Sequence, residues 1–115
     1  MGMVALPLAV WLAGCTSGGQ NVRGAAPTAG GTIVRVRDVI KLKPSEPVTV
    51  EGEMVEKCAT AGCWFKLRDK TGIVRVDTRA AGFVVSDVPL HTHILVGGRM
   101  LTGEESTVAA TGIRY

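Results

Sequence analysis

An all-β domain is the fold this sequence predicts, and three observations carry the prediction. After the first thirty residues Val, Thr and Gly are abundant, while good helix formers rarely run together. Apolar and polar residues alternate with the period of two that belongs to a half-buried strand. Clusters containing Pro, Gly and Asp punctuate those stretches at turn-length intervals. A chain of 115 residues has room for one small domain. Residues 32–115 are expected to form it, after a flexible tether over residues 15–31.

The tether reading rests on residues 16–31 (TSGGQNVRGAAPTAGG), which are rich in Gly, Ala, Ser and Thr and show no apolar period. Val34-Arg35-Val36-Arg37 alternates, as does Ile40-Lys41-Leu42-Lys43, with the phase broken at Asp38. Pro44-Ser45-Glu46-Pro47 then forces a turn. Val48, Val50 and Met54 share one face of the next strand against Thr49, Glu51 and Glu53, with Gly52 a bend or bulge. A loop of small residues joins Cys58 to Cys63. Cys63, Phe65 and Leu67 are predicted to face inward, with Trp64, Lys66 and Arg68 outward. Asp69-Lys70-Thr71-Gly72 has hairpin length, and Val74 and Val76 continue inward between surface charges Arg75 and Asp77. Residues 78–90 are less regular, with a short helical turn at Ala80–Phe83. His93 to Met100 and Thr107 to Tyr115 read as the last two strands, joined by a turn at Gly103–Ser106. Five strands, with a longer connection between the third and fourth, fit the small Greek-key barrel called the OB-fold. A small β-sandwich has the same strand count.

The first fourteen residues are of another kind. No Asp, Glu, Lys or Arg occurs before Arg23. Val4 to Gly14 (VALPLAVWLAG) has the length of a signal-peptide apolar region and falls short of the ~20 residues of a membrane-spanning helix. Leu12-Ala13-Gly14-Cys15, followed by Thr16-Ser17-Gly18-Gly19, resembles the lipobox of bacterial lipoproteins. That resemblance implies removal of residues 1–14 as a signal peptide and acylation of Cys15 as the mature N-terminus. It also implies a lipid-anchored place in the cell envelope. Thr16 is not the Asp associated with inner-membrane retention, so in an organism with two membranes the expected address is the outer one, facing the periplasm. Two or three acyl chains anchor stably where a single chain binds only marginally.

A second resemblance covers roughly residues 40–112. Val50-x-Gly52, Val55-x-x-Cys58-x4-Cys63-Trp64, Leu67-x-Asp69-x-x-Gly72 and Gly82-Phe83-x-x-x-Asp87-x-Pro89 are similar to a family of small exported bacterial domains with a Val-Cys…Gly-Cys-Trp signature. It implies an OB-fold-like exported domain, often a lipoprotein, with no assigned activity. Lys57 stands where the signature has Val, and His91 and His93 lie outside it.

Chemistry concentrates at Cys58-Ala59-Thr60-Ala61-Gly62-Cys63-Trp64. A reversal there brings two thiols near each other, and an exported domain sits where a disulfide can persist. Three readings stay open for Cys58 and Cys63: a stapling disulfide, a redox-active dithiol, or two soft thiolates holding Cu or Zn. Trp64 would cover any of them. His91 and His93 begin the fourth strand, which in an OB barrel runs antiparallel to the first, and their i,i+2 spacing puts both on one face. The sequence therefore allows a four-ligand set of Cys58, Cys63, His91 and His93, with Met54 and Met100 as thioether reserves.

Other function classes find little support. The chain has no phosphate-cradling glycine loop, nucleophile elbow or H-E-x-x-H. Its net charge is only +3, and outside the leader its aromatics are Trp64, Phe65, Phe83 and Tyr115. Single-stranded nucleic acid wants a basic groove and a stacking platform, so nucleic acid is not an expected partner. The expectation is a non-enzymatic binding module at the membrane, with an envelope protein as a further partner. The alternatives are an adaptor stapled at Cys58–Cys63 or a thiol–disulfide redox protein.

Overall fold

The computed structural model describes residues 21–27, 32–101 and 106–115. Its strands are β1 (Val22–Gly24), β2 (Pro47–Lys57), β3 (Trp64–Asp69), β4 (Gly72–Asp77), β5 (His93–Met100) and β6 (Thr107–Arg114), with one helix, α1 (Val36–Val39). The sheet runs β1-β6-β4-β3-β2-β5, and a further β5–β6 pairing closes β2 to β6 on themselves. Every neighbouring pair is antiparallel except β4 and β6. This is the OB-fold, and closure rules out the two-sheet sandwich. The expected signal peptide over residues 1–14, Cys15 and most of the Gly103–Ser106 turn lie outside the described residues.

The period-two pattern works because each strand has one face in the barrel. Met54, Phe65, Leu67, Val76, Ile94 and Val96 are all fully buried. β2 is the longest strand, pairing with β5 from Pro47 to Glu53 and with β3 from Glu53 to Lys57. Gly52 sits where β2 passes from one partner to the next. A β-carbon there would lie 2.3 Å from the Arg68 carbonyl oxygen, so glycine is required by close approach. It is not the expected bulge. The register shift falls between Met54 and Glu56.

Three expectations need correction. Val34 to Arg37 does not continue as strand, because Val36 and Val39 fall on the same side of one helical turn and are both buried. Asp69 fixes that turn: its carboxylate accepts the Val36 N–H (2.9 Å) and the N–H groups of Thr71 (2.7 Å) and Gly72 (3.1 Å). The tether expected over residues 15–31 is not free throughout, since β1 pairs with β6 from Val22↔Arg114 to Gly24↔Gly112. Asp77 is no ordinary surface charge either. It is 7 % exposed and takes a salt bridge from Arg79 at 2.7 Å.

The two barrel ends differ. α1 plugs the end that carries the β3–β4 hairpin. The connection over residues 78–92 covers the other end with Val85 and Val88, and includes the anticipated turn where the Ala81 and Gly82 N–H groups donate to the Thr78 carbonyl.

Candidate functional site

The β2–β3 register runs through Lys57↔Phe65, and the Cys58 N–H continues it by donating to the Trp64 carbonyl (3.1 Å). The chain then reverses within one turn, closed by the Gly62 N–H on the Cys58 carbonyl (3.2 Å). Gly62 has φ +62, and a β-carbon on it would meet the Ser86 nitrogen at 2.6 Å, so no other residue fits. Its carbonyl accepts the Val85 N–H (2.9 Å), which locks the loop to the 78–92 connection.

This turn aims donors at one sulfur. The Ala61 N–H leads, joined by the hydroxyl and N–H of Thr60 and the N–H of Gly62, and together they bring the Cys58 thiol down to about 6. The Thr60 Oγ1 lies 3.6 Å from Cys58 Sγ. Cys58 is half-buried, and a thiol lowered this far is mainly ionised at neutral pH. Cys63 is also half-buried, and its carbonyl accepts the Thr78 N–H (2.9 Å). Cys58 and Cys63 are free thiols, so the staple, one of the three readings left open, is not formed in this structure. Cys58 stands across from Trp64, one step out of line with Cys63. Trp64 opens β3 on the outer face, and the Arg75 guanidinium lies 4.6 Å from its ring centroid. One face of the indole is thus already occupied by a cation.

The four-ligand set is not assembled. Among the described residues no three His, Cys, Asp or Glu side chains are grouped to hold a metal. His93 sits opposite Glu53 in register, five residues short of Cys58 along β2, roughly 16 Å at strand rise. Its Nε2 pairs with Glu51 Oε2 at 3.1 Å. His91 lies before β5 in the left-handed region (φ 74), so the two rings do not share a strand face as their spacing predicted. Its Nδ1 pairs with Glu53 Oε2. The His91 hydrogen bond, then that of Arg68, holds the Glu53 carboxyl below its ordinary value. Met54 and Met100 are buried in the core, so neither is a reserve ligand. Glu51, Glu53, Arg68 and His93 instead line a groove of about 820 Å³ together with Ile33–Arg35.

Sequence reasoning missed the clasp around the loop. Lys57 Nζ donates to the Ser86 (2.9 Å) and Val88 carbonyls. Arg23 of β1 makes a two-pronged bond to Asp87 (2.7 and 2.8 Å), donates to the Val84 carbonyl (2.8 Å) and lies over Tyr115. Asp87 is held down to about 2, chiefly by Arg23. The only signal was a lone Arg in a polar linker, which reads as solvated.

No protein-family model matches the chain, and no curated protein matches it in sequence. Solved structures do resemble it. The hypothetical protein YgiW from E. coli is 18% identical, with a TM-score of 0.59, over 80% of this chain and 98% of that one. A chain of the S. pombe Stn1–Ten1 complex is 16% identical, with a TM-score of 0.53, over 76% of this chain and 80% of that one. Both likenesses are of fold: the chain is a small OB-fold barrel.

Proposed function

We propose that the chain is a lipid-anchored binding module of the cell envelope that takes a soft metal ion, Cu(I), at its Cys58–Cys63 loop. The observation that carries the reading is the Cys58 sulfur, half-buried and encircled by the donors of Thr60, Ala61 and Gly62. A thiol brought down to about 6 is ionised at neutral pH without a metal, so a cation entering the loop displaces few protons. Soft thiolate donors favour Cu(I). Structural zinc takes four nitrogen or sulfur ligands, and the engagement of His91 and His93 by Glu53 and Glu51 leaves two thiols short of that number. The anchor stands on the lipobox resemblance at Leu12–Cys15.

Titration of the processed, detergent-extracted protein with Cu(I) against a competing chelator tests this. One Cu(I) per chain, lost in Cys58→Ser, is the expected result, and Cys63→Ser tells whether the second sulfur shares the ion. Failure of the reduced protein to retain copper overturns it. Thiol–disulfide exchange is the second reading, favoured by the same lowered thiol. It gains ground if Cys58 and Cys63 equilibrate with glutathione at a potential of about −120 to −270 mV while no copper is held.

A further inference from the structure

Five strand ends converge on one end of the barrel. β2 ends there at Lys57, β3 begins at Trp64, and β4 ends at Asp77 opposite Trp64. β6, parallel to β4, finishes there, and β1, antiparallel to β6, starts there. Asn21 and Tyr115 mark the spot with reciprocal backbone hydrogen bonds of 2.9 and 2.8 Å. The Cys58–Cys63 loop is tied to the same place through Gly62, Val85, Asp87 and Arg23.

This arrangement shortens the leash. Six Cα steps separate Cys15 from Asn21, which is at most about 20 Å of extended chain, whereas a tether free to Thr32 could reach about 60 Å. Val22, Val84 and Leu90 are exposed at this end (43%, 43% and 45%); Ile40 (68%) and Ile73 (56%) are exposed at the α1 end, so the short leash and not apolar exposure sets the orientation. Apolar side chains there suit the boundary between head groups and acyl chains. Release of the leash requires breaking the β1–β6 pairing and the Arg23–Asp87 bond.

We infer that the Cys58–Cys63 end of the barrel rests on the lipid bilayer in which Cys15 is anchored, so that the loop works at the head-group layer with α1 turned away. This rests on the anchor reading under the proposed function but not on the identity of the ligand. Trp64 is the one tryptophan downstream of the leader, which makes it a built-in probe.

The processed full chain is reconstituted in protein-free phospholipid vesicles bearing nitroxide head groups, with acylation of Cys15 checked by mass. Quenching of Trp64 at least twofold stronger than in the Trp64→Phe/Ile40→Trp double variant is the expected result. Insertion of ten Gly/Ser residues after Gly19 should then reduce the Trp64 quenching while acylation is retained. Equal quenching at the two ends in acylated protein overturns the orientation. Quenching that needs added membrane proteins overturns the choice of lipid as the partner. A chain without acyl groups overturns the anchor reading itself, and the mass separates that failure from the others.

Discussion

At the α1 end of the barrel, Val36 and Val39 close the core with hydrocarbon, and a single carboxylate, Asp69, satisfies the backbone N–H groups that the tight turns leave over. At the Cys58 end the cover is stitched by long cationic side chains: Arg23 on Asp87 and Val84, and Lys57 on Ser86 and Val88. The Cys58 end also buries Val85 and Val88 in the core, and it alone sets a half-buried thiol and an indole beside the closure. Both ends therefore carry stability, and only the second adds thiol chemistry.

Changes at three positions would sharpen that contrast. The largest effect is expected from Val39→Asp, which puts an unpaired carboxylate into the plug at a cost of several kcal/mol, a large share of a small domain's ~5–15 kcal/mol. Thermal melting should fall by more than about 10 °C or lose its cooperative transition. A melt close to wild type would show that α1 is not the plug. Next comes Asp69→Ala, expected to cost about 1–2 kcal/mol by stranding the Val36, Thr71 and Gly72 donors, with Asp69→Asn much milder.

The pH dependence at Asp69 has a definite sign. Partial burial raises its pKa, but the Thr71 hydroxyl and the Val36, Thr71 and Gly72 N–H groups outweigh that and leave it lowered in the folded state. Its contribution is thus present above the ordinary Asp value near 4 and lost as pH falls through the lowered folded value. Chemical denaturation between about pH 5 and 2 should be less acid-sensitive in Asp69→Asn. An unchanged slope would remove Asp69 from the account.

The smallest effect on stability belongs to Thr60→Val at the opposite end. Iodoacetamide labelling of Cys58 in the parent protein should rise with pH through a midpoint of about 6, and the variant should shift that midpoint upward with its melt unmoved. A parent midpoint near the ordinary thiol value of about 8.5 would mean that the loop does not hold a thiolate.

Much of the barrel was legible because a strand with one face in the core must alternate. Phe65, Leu67, Val74 and Val76 declared themselves in that way, and all four are buried. α1 was not legible, since four residues are too few to display a helical period and Val36 also fits an alternating run. β1 was hidden for a related reason. Three residues carry no pattern, and what orders them is the edge of β6, far away in sequence. The thiol loop was legible as a pair of cysteines around a glycine, whereas the engagement of His91 and His93 by Glu53 and Glu51 was not, because spacing along one strand says nothing about the neighbour across it.

By itself the sequence determined the all-β class, the five barrel strands and the location of the thiols, since these follow from local period, turn residues and residue type. Only the tertiary structure decided which end of the barrel those thiols occupy, which groups surround the Cys58 sulfur, and that Asn21–Gly24 is zipped onto β6. Those outcomes depend on backbone donors and charged partners brought together from distant parts of the chain, and no local pattern encodes such a meeting.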